Sequence, residues 1–404
     1  MDAPLNVEDF RRLARRRLPS TIFDALAGGA GDEWALRRNR EAFASVTFRP
    51  KTLVDVTTRS AATCLFGQQT SLPVVLGPTG VGQIIRRDAE LAVARAAAGA
   101  GAIYTQSSLT PFAMEEVTAA AGDSPLWFQL YLPHSRYETE ALLDRVARAG
   151  YKALVITVDM PTFGARERDM RNEMTPRFKA IPRLIWEGMS RPAWSMHFLR
   201  TNRPSPRKFI RRMTPVPKQP AVTATQWPVT PDDISFLRRH WRGPLIVKGI
   251  MRSDECPQYL DYGVDGFVVS NHGGRQLDNL PGSFDVLAEV VDAVAGRATV
   301  MLDGGVRRGE DVLKAVAMGA SAVLVGRPYL FALAAGGQAG VGDMIEMFRA
   351  EIDRALALVG VCSLGELDRT FLNLAPRLPV SRARETTYQT AYLPEPAPVG
   401  QPQL

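Results

Sequence analysis

The amino-acid sequence predicts an α/β protein built as a (β/α)8 TIM barrel with a helical extension at its N-terminus. Eight short apolar runs alternate with helical patterns from about residue 70 to about residue 360 of the 404-residue chain. Each run is continuously apolar, which indicates strands that are buried on both faces of a parallel sheet. Eight strand–helix units in sequence are typical of the barrel, and the chain is long enough to enclose a sizeable core.

The predicted strands follow one another in chain order, and most are followed by an alanine-rich or amphipathic helix. A doubly wound sheet of the Rossmann type is the alternative, but it requires a GxGxxG turn after an early strand, and none stands there. The predicted strands are residues 73–76, 102–105, 126–131, 153–158, 245–247, 266–269, 299–302 and 322–325. The clearest helices are predicted over residues 88–100, 135–149, 285–295 and 309–318.

Three segments lie outside this repetition. The first 60 or so residues predict helices that precede the barrel, and the run DALAGGAG at 24–31 ends one of them in glycines. The gap between the fourth and fifth strands is too long for a barrel loop, so residues 170–230 are interpreted as an insert. We therefore predict a single barrel domain over residues 1–375, followed by a proline-rich tail over 376–404.

The positive charge of the chain is local. The formal net charge is +7, but residues 177–218 contain eleven basic residues and one acid, Glu187, so this segment carries +10 and the remainder −3. A mildly acidic remainder argues against nucleic acid as a partner. No apolar run reaches the roughly 18 residues of a membrane-spanning helix, and arginines interrupt the only candidate signal sequence. Three widely spaced cysteines argue against a disulfide scaffold and a zinc site, and predict a cytoplasmic protein.

Glycine-rich turns that contain arginine follow the seventh and eighth predicted strands, at residues 303–307 and 326–327. Functional side chains of a barrel lie at the carboxyl ends of its strands, and a phosphate site after strands seven and eight is recurrent. Glycine lets backbone N–H groups approach a phosphate, and Arg307 or Arg327 can bind it bidentately. One such turn alone could be a plain loop, whereas the two together predict a phosphate-binding site.

His272 follows the sixth predicted strand directly and stands among polar residues. A histidine with an ordinary pKa of about 6.5 suits proton abstraction near neutral pH, although a hydrogen-bonded core histidine is the alternative interpretation. Asp159 could stabilise the imidazolium that forms. Arg166 and Arg275 suit a carboxylate substrate, with solvated ion pairs as the alternative. Lys248, at a strand end, could neutralise charge that develops on a cofactor.

The run SNHGGRQLD at 270–278, preceded by LIVKG at 245–249, resembles the signature of the FMN-dependent L-2-hydroxy-acid oxidases and dehydrogenases. The resemblance covers about residues 8–375 and is nearest to the mandelate and lactate dehydrogenase branch. It implies oxidation of an L-2-hydroxy acid to a 2-keto acid with FMN as cofactor, in a homotetramer. Further matching runs, in the same order as in the family, are WFQLY at 127–131, TVD at 157–159, LDGGVRRG at 302–309 and VGRP at 325–328.

The resemblance also implies a role for each site residue. His272 would be the base that activates the substrate at its α-carbon or hydroxyl, and Asp159 would stabilise its protonated form. Arg275 and Arg166 would bind the substrate carboxylate, and Tyr131 would hydrogen-bond the substrate. Lys248 would contact the N1/O2 edge of the flavin. The residues around the flavin ring system would be Pro78, Thr79, Gly80, Ser107, Gln129, Thr157 and Ser270. Those at its ribityl and phosphate groups would be Asp303, Gly304, Gly305, Arg307, Gly326 and Arg327.

Three positions depart from the family pattern. Ala25 replaces a tyrosine that usually contacts the substrate carboxylate, and Leu109 replaces the tryptophan of many short-chain oxidases. The first change removes a carboxylate contact and opens a small volume, which predicts either a bulky substrate such as an aryl, mandelate-like acid or one that lacks a simple carboxylate at that point. The second change gives a different pocket wall. Gly80 stands where oxidases often have alanine, which favours a dehydrogenase that passes electrons to a quinone or another acceptor. The alternatives are an oxygen-using oxidase and a family member that oxidises an amine or a modified peptide.

The basic insert is similar to that of the membrane-associated mandelate and lactate dehydrogenases. Its tryptophans and apolar residues among many cations suit the headgroup region of an anionic membrane. This similarity predicts peripheral contact of residues 177–218 with the inner face of the cytoplasmic membrane. A lid over the active site, kept in solution by its charges, is the alternative interpretation.

Overall fold

A computed structural model describes residues 3–80, 82–133, 135–172, 182–200 and 228–374. Eight parallel strands, β4 to β11, close a barrel in which each strand pairs with the next and β11 pairs with β4, so the predicted (β/α)8 barrel is confirmed. The strands in chain order are β1 (Val46–Phe48), β2 (Thr63–Leu65), β3 (Gln68–Thr70), β4 (Val74–Leu76), β5 (Tyr104–Ser107), β6 (Leu126–Leu130), β7 (Ala153–Thr157), β8 (Leu245–Ile250), β9 (Gly266–Val269), β10 (Thr299–Asp303), β11 (Ala322–Val325) and β12 (Leu372–Leu374).

Helices cover the outside of the barrel and precede it, as predicted. Ser135 caps the helix that follows β6, where its Oγ accepts a hydrogen bond from the N–H of Glu138. The helices are α1 (Val7–Arg17), α2 (Ser20–Ala27), α3 (Trp34–Ala44), α4 (Gly82–Ile85), α5 (Ala89–Gly99), α6 (Met114–Ala121), α7 (Arg136–Arg148), α8 (Glu167–Arg171), α9 (Pro182–Met189), α10 (Pro192–Leu199), α11 (Pro231–His240), α12 (Cys256–Asp261), α13 (Ser283–Val294), α14 (Gly309–Ala317) and α15 (Arg327–Val359).

Each continuously apolar strand contributes side chains to two hydrophobic cores, because successive side chains point to opposite faces of the sheet. One set packs outward against the helices, and the other fills the barrel interior with residues such as Trp127, Ile246 and Met301. The β2–β3 hairpin closes one end of this interior: Leu65 packs into it, and the indole N–H of Trp127 donates to Gln68 Oε1 at 2.8 Å. The loops that follow the strands lie at the opposite end of the barrel, where the carboxyl ends of the strands meet.

Two predicted strands have boundaries that are wrong by two residues or more, and both corrections concern site residues. The second barrel strand covers Tyr104–Ser107 rather than residues 102–105, because its pairing begins at Tyr104 opposite Leu76 and Leu126. The fifth extends beyond residue 247 to Ile250, because pairing with β9 continues through Lys248. Ser107 and Lys248 are therefore held by strand hydrogen bonds, which fix their positions more firmly than a loop would.

The insert after β7 contributes α9 and α10 to the described structure. The indole N–H of Trp194 donates to the carbonyl of Ile84 at 2.8 Å, and Leu184 is buried, so these helices pack on the barrel next to α4. Residues 173–181 and 201–227 of the predicted insert, and the predicted tail over 376–404, lie outside the described residues. Among the residues that the structure describes, no helix has the length and apolarity needed to cross a membrane.

Candidate active site

A cleft opens at the carboxyl ends of the barrel strands, with about 1180 Å³ of empty space that includes solvent at its mouth. Sixteen of the nineteen predicted site residues line it, and the other three, Gln129, Asp159 and Ser270, lie directly behind the lining. The predicted residues that line it are Pro78, Thr79, Gly80, Ser107, Tyr131, Thr157, Arg166, Lys248, His272, Arg275, Asp303, Gly304, Gly305, Arg307, Gly326 and Arg327.

His272 and Asp159 form a hydrogen-bonded pair between the loops that follow β9 and β7. His272 Nδ1 lies 3.0 Å from Asp159 Oδ1 and 3.2 Å from Oδ2, so Nδ1 carries the proton and Nε2 has a free lone pair. Burial lowers the pKa of His272, and nearby Lys248 adds to this, whereas Asp159 opposes it. Burial disfavours the charged form of Asp159, but the attraction of His272 and Lys248 outweighs burial and lowers its pKa. The pair therefore rests as neutral imidazole beside carboxylate.

Lys248 is buried at the centre of the cleft floor. Its Nζ lies 3.0 Å from Asp303 Oδ2 and donates to Ser270 Oγ at 3.0 Å. Burial opposes the charged form, but Asp303 and Asp159 outweigh burial and raise the pKa of Lys248. Ser270 Oγ also accepts from the N–H of His272 at 3.0 Å. Ser270 therefore fixes both the lysine and the start of the histidine loop.

A row of hydrogen-bonded side chains joins three adjacent strands, with Ser107 and Thr157 in the lining of the cleft and Gln129 behind it. Ser107 Oγ donates to Gln129 Oε1 at 2.8 Å, and Gln129 Nε2 donates to Thr157 Oγ1 at 3.0 Å. Tyr131 follows the same strand as Gln129, and burial raises the pKa of its hydroxyl to about 12. The tyrosine therefore keeps its proton at neutral pH and can donate a hydrogen bond into the cleft.

Two guanidinium groups, Arg166 and Arg275, line the cleft near His272. Burial lowers the pKa of both, and repulsion by Arg166 helps to bring that of Arg275 to about 10. Arg275 Nη1 donates to the carbonyls of Ala25 and Gly28, at 3.0 and 2.9 Å, and its Nη2 lies 3.7 Å from Asp169 Oδ2. Two guanidinium groups on one cleft present planar sets of donors, which suit a carboxylate ligand.

The glycine turn after β10 and the start of α15 form the other end of the cleft. Gly304 and Gly305 both have positive φ, of 90° and 87°, and a Cβ on Gly305 would collide with the backbone of Asn39. Burial lowers the pKa of Arg307 to about 10, and that of Arg327 is also lowered, chiefly by burial and then by repulsion from Arg275. Arg327 donates to the backbone carbonyls of Leu26, Gly28 and Gly273, at 3.1, 2.7 and 2.9 Å, and Arg307 Nη1 donates to that of Val306 at 2.7 Å. Both cations line the cleft beside the glycine turn, where they suit a phosphate.

The site fits FMN on features of the structure itself. One end gathers Arg307 and Arg327, whose mutual repulsion a phosphate would relieve. Lys248 lies beside Asp303, whose Oδ1 is buried and has no hydrogen-bond partner among the described residues. The His272–Asp159 pair completes the site.

The sequence did not identify several residues that contribute to the site. Leu26, Met160 and Phe163 add apolar lining, and Asp169 pairs with Arg275. Asn39, on α3, exchanges two hydrogen bonds with Asn271, at 2.8 and 3.0 Å, and so ties the N-terminal extension to the histidine loop. Asn271 lies within the SNHGGRQLD motif, so the sequence could have identified it as a site residue. No sequence feature near Asn39 indicated that Asn39 pairs with Asn271.

The three departures from the family pattern all lie at the cleft. Ala25 is buried and lines it, with its carbonyl held by Arg275. Gly80 and Leu109 face each other, since a Cβ on Gly80 would lie 3.0 Å from Leu109 Cβ. The three positions therefore shape the cleft rather than unrelated surfaces.

Comparison with known proteins agrees with this geometry. Residues 14–374 match the family described as FMN-dependent dehydrogenase. An L-lactate oxidase of Nostoc sp. is 40% identical over 380 residues, which cover 93% of this chain and 99% of that protein. (S)-Mandelate dehydrogenase of Pseudomonas putida is 37% identical over 370 residues, which cover 91% of this chain and 93% of that protein.

Solved structures extend the match to the whole fold. The structure described as monotopic membrane protein (S)-mandelate dehydrogenase has a TM-score of 0.85 at 34% identity and covers 93% of this chain and 100% of its own. A mandelate oxidase solved with benzoyl-formic acid has a TM-score of 0.77 at 37% identity, covering 92% of this chain and 98% of its own. The predicted family and cofactor are confirmed. The chain belongs to the FMN-dependent dehydrogenase family and is an FMN-dependent oxidoreductase that acts on the CH–OH group of 2-hydroxy acids.

Proposed function

We propose that this chain oxidises an aryl or otherwise bulky L-2-hydroxy acid to the 2-keto acid and passes the electrons to a quinone or another acceptor in preference to oxygen. The observation that carries the proposal is the His272–Asp159 pair, 3.0 Å apart, which opens on the same cleft as Arg166 and Arg275. A proton acceptor and two carboxylate-binding cations thus converge on one small space.

His272 is the base of the proposed reaction. It is neutral at rest because burial lowers its pKa, and its Nε2 is free to take a proton from the α-carbon or hydroxyl of the substrate. Asp159 then stabilises the imidazolium and keeps the ring in one orientation. FMN, when bound, would supply the acceptor for two electrons and the second proton as CH–OH becomes C=O, the first proton having gone to His272.

Arg166 and Arg275 bind the substrate carboxylate, and the hydroxyl of Tyr131 donates a hydrogen bond to the substrate. Lys248 stays charged beside Asp303 and offsets negative charge that develops on the flavin edge. Arg307, Arg327 and the glycine turn hold the cofactor phosphate. The remaining predicted cofactor contacts, at Pro78, Thr79, Gly80, Ser107, Gln129, Thr157, Ser270 and Gly326, are part of the same proposal.

The lining of the cleft supports a bulky substrate. Ala25 leaves open the volume that a tyrosine side chain would fill, and Leu109 presents a smaller surface than tryptophan. Met160 and Phe163 add apolar surface beside Arg166. An aromatic ring gains more from such a lining than a methyl group or a hydrogen does. Mandelate dehydrogenase and mandelate oxidase are among the matched structures.

The surface of α9 and α10 supports peripheral contact with an anionic membrane. Trp186, Met189 and Leu199 are exposed although they are large and apolar, and they lie in the segment with a charge of +10. Exposed apolar side chains among cations match the headgroup region of a membrane. A matched structure is itself described as a monotopic membrane protein. The homotetramer that the family resemblance implies stays a prediction.

An anaerobic flavin-bleaching screen over 2-hydroxy acids of graded size tests the substrate. We expect (S)-mandelate to reduce the bound flavin faster than L-lactate or glycolate. Admission of air and, separately, of a soluble quinone then tests the acceptor, and we expect the quinone to reoxidise the flavin faster. Reoxidation by air within seconds with release of peroxide would identify an oxidase. Failure of every acid to bleach the flavin would favour a non-acid substrate.

A further inference from the structure

Gln276 connects the two loops that carry the proposed chemistry. It follows Arg275 in the loop after β9 and is only 8% exposed. Its Nε2 donates to the carbonyls of Asp159, at 3.1 Å, and Thr162, at 2.8 Å. Its Oε1 accepts from the N–H of Gly164 and from Arg166 Nη2, both at 3.2 Å. A carboxamide has two N–H groups and two lone pairs, and here all four are used.

The orientation of this amide is fixed by its partners. If oxygen and nitrogen were exchanged, the NH2 group would face the two donors and the oxygen would face the carbonyls of Asp159 and Thr162. Glutamate could therefore reproduce only the acceptor half of the arrangement, toward Gly164 and Arg166. Methionine, similar in length, could reproduce neither half.

The backbones of the two loops also touch at this point. A Cβ on Gly164 would lie 2.6 Å from the carbonyl oxygen of Gln276, so only glycine permits the approach. Arg166 Nε donates to the carbonyl of Arg275 at 3.2 Å. The loop over residues 159–166 is thus pressed against residues 275–276, and the side chain of Gln276 is the polar link between them.

We propose that Gln276 is a positioning residue that sets the distance between the proton-accepting His272–Asp159 pair and the carboxylate-binding Arg166. His272 lies in the same loop as Gln276, whereas Asp159 and Arg166 lie at the two ends of the opposite loop. One side chain therefore holds the Asp159 backbone near His272 and the Arg166 guanidinium over the cleft. A reacting group must be placed to within fractions of an ångström, so a small shift of either end reduces turnover.

This inference rests on the proposed function, and Gln276→Glu and Gln276→Met test it. The measurements are flavin content, kcat with the best hydroxy acid of the screen, and the Kd of benzoate as an unreactive carboxylate, read from the flavin spectrum. For Gln276→Met we expect full flavin content, kcat at least about tenfold lower and benzoate Kd about tenfold higher. For Gln276→Glu we expect a similar loss of kcat, but a benzoate Kd within about threefold of the unchanged protein, because the acceptor for Arg166 remains.

The controls are Gln258→Glu and Gln258→Met, at an exposed glutamine on α12 that donates to Tyr262 Oη at 2.8 Å. They should leave all three measurements unchanged. The double variant Gln276→Met with Arg166→Met should have the same benzoate Kd as Arg166→Met alone, since the two residues act through one contact.

Two results would overturn the inference. In the first, flavin-loaded Gln276 variants have kcat and benzoate Kd within twofold of the unchanged protein. In the second, kcat and benzoate binding fall only in proportion to the flavin content of the variants. Benzoate binding reports on Gln276 even if no hydroxy acid bleaches the flavin, which would count against the proposed function alone.

Discussion

The carboxylate of Glu187, on α9, accepts a hydrogen bond of 3.0 Å from the backbone N–H of Thr21, in the first turn of α2. It also accepts from Ser20 Oγ at 2.6 Å and from Thr21 Oγ1 at 3.0 Å. The first N–H groups of a helix lack intrahelical partners and carry partial positive charge. The single acid of the basic segment 177–218 is thus used to cap α2, whose other end lines the cleft with Ala25 and Leu26.

Glu187→Ala should therefore lower the free energy of unfolding by about 0.5–2 kcal/mol, the usual cost of losing a helix N-cap. Urea denaturation followed by circular dichroism measures it. The matched control is Glu346→Ala, which removes an i,i+3 ion pair with Arg349 on α15 and should change the free energy by less than about 0.5 kcal/mol. Equal unfolding midpoints for the two variants would contradict the capping interaction.

Asp159→Asn should move the acidic limb of the pH profile of kcat/KM to lower pH. His272 must be neutral to accept a proton, so activity falls as the pH drops through its pKa, which lies below the ordinary value. Asp159 raises that pKa, whereas burial and Lys248 lower it, and its loss therefore lowers the pKa further. We expect kcat to fall on the order of 10²–10⁴-fold, because the imidazolium loses its partner.

The reference variant for this prediction is His272→Gln, which should retain FMN and lose turnover because the base itself is removed. Asp254→Asn, at an exposed aspartate paired with Arg252, is the matched control and should leave the profile unchanged. An acidic limb that stays in place, or that moves to higher pH in Asp159→Asn, would rule out the proposed electrostatic role of the carboxylate.

The barrel was predictable because its signal is local to each strand. The continuous apolar run of β7, for example, is sufficient to indicate a strand buried on both faces, and chain order then places its end in the cleft. The boundary of β5 was wrong because pairing with β4 and β6, rather than hydrophobicity, decides where that strand begins. The order of residues along the chain does not by itself show where β5 pairs with β4 and β6.

The layer behind the cleft was not predictable for a related reason. Gln276 stood inside the recognised motif, but its partners Asp159 and Thr162 are more than a hundred residues away, and their carbonyls carry no side-chain signal. The link from Asn39 to Asn271 joins the N-terminal extension to the barrel over a separation of 232 residues. Such contacts arise only when the loops pack, and short-range patterns do not report them.

Ala25→Tyr should shift the preference of the enzyme from bulky to small substrates. The ring would fill the open volume beside the cleft, and its hydroxyl would add a hydrogen bond to the substrate carboxylate. We expect the ratio of kcat/KM for (S)-mandelate to that for glycolate to fall at least about tenfold, equivalent to about 1.4 kcal/mol. Ala25→Phe fills the volume without the hydroxyl, so it should lose mandelate activity without a gain for glycolate. A ratio within twofold of its original value in Ala25→Tyr would refute this assignment of the pocket.

Arg307→Met should weaken FMN binding about 10- to 100-fold, because a charge-assisted hydrogen bond contributes about 1.5–3 kcal/mol. The burial that lowers the pKa of Arg307 to about 10 is costly unless an anion compensates the charge. Fluorescence titration of the apoprotein with FMN measures the Kd. Arg297→Met is the matched control, since Arg297 donates to backbone carbonyls at an exposed position away from the cleft. If both variants bind FMN as tightly as the unchanged protein, Arg307 does not hold the phosphate.

Trp186→Ser combined with Leu199→Ser should reduce binding to vesicles that contain phosphatidylglycerol by at least about tenfold. These side chains are 73% and 80% exposed on α9 and α10, and burial of each in the interface would contribute more than 1 kcal/mol. Leu53→Ser combined with Leu358→Ser, at positions 105% and 71% exposed outside the insert, is the matched control and should bind as the unchanged protein does. Co-sedimentation at low and high salt measures binding, which should weaken with salt and on neutral vesicles because the cations contribute. Unchanged vesicle binding together with reduced turnover of a water-soluble acid would instead identify the segment as a lid over the cleft.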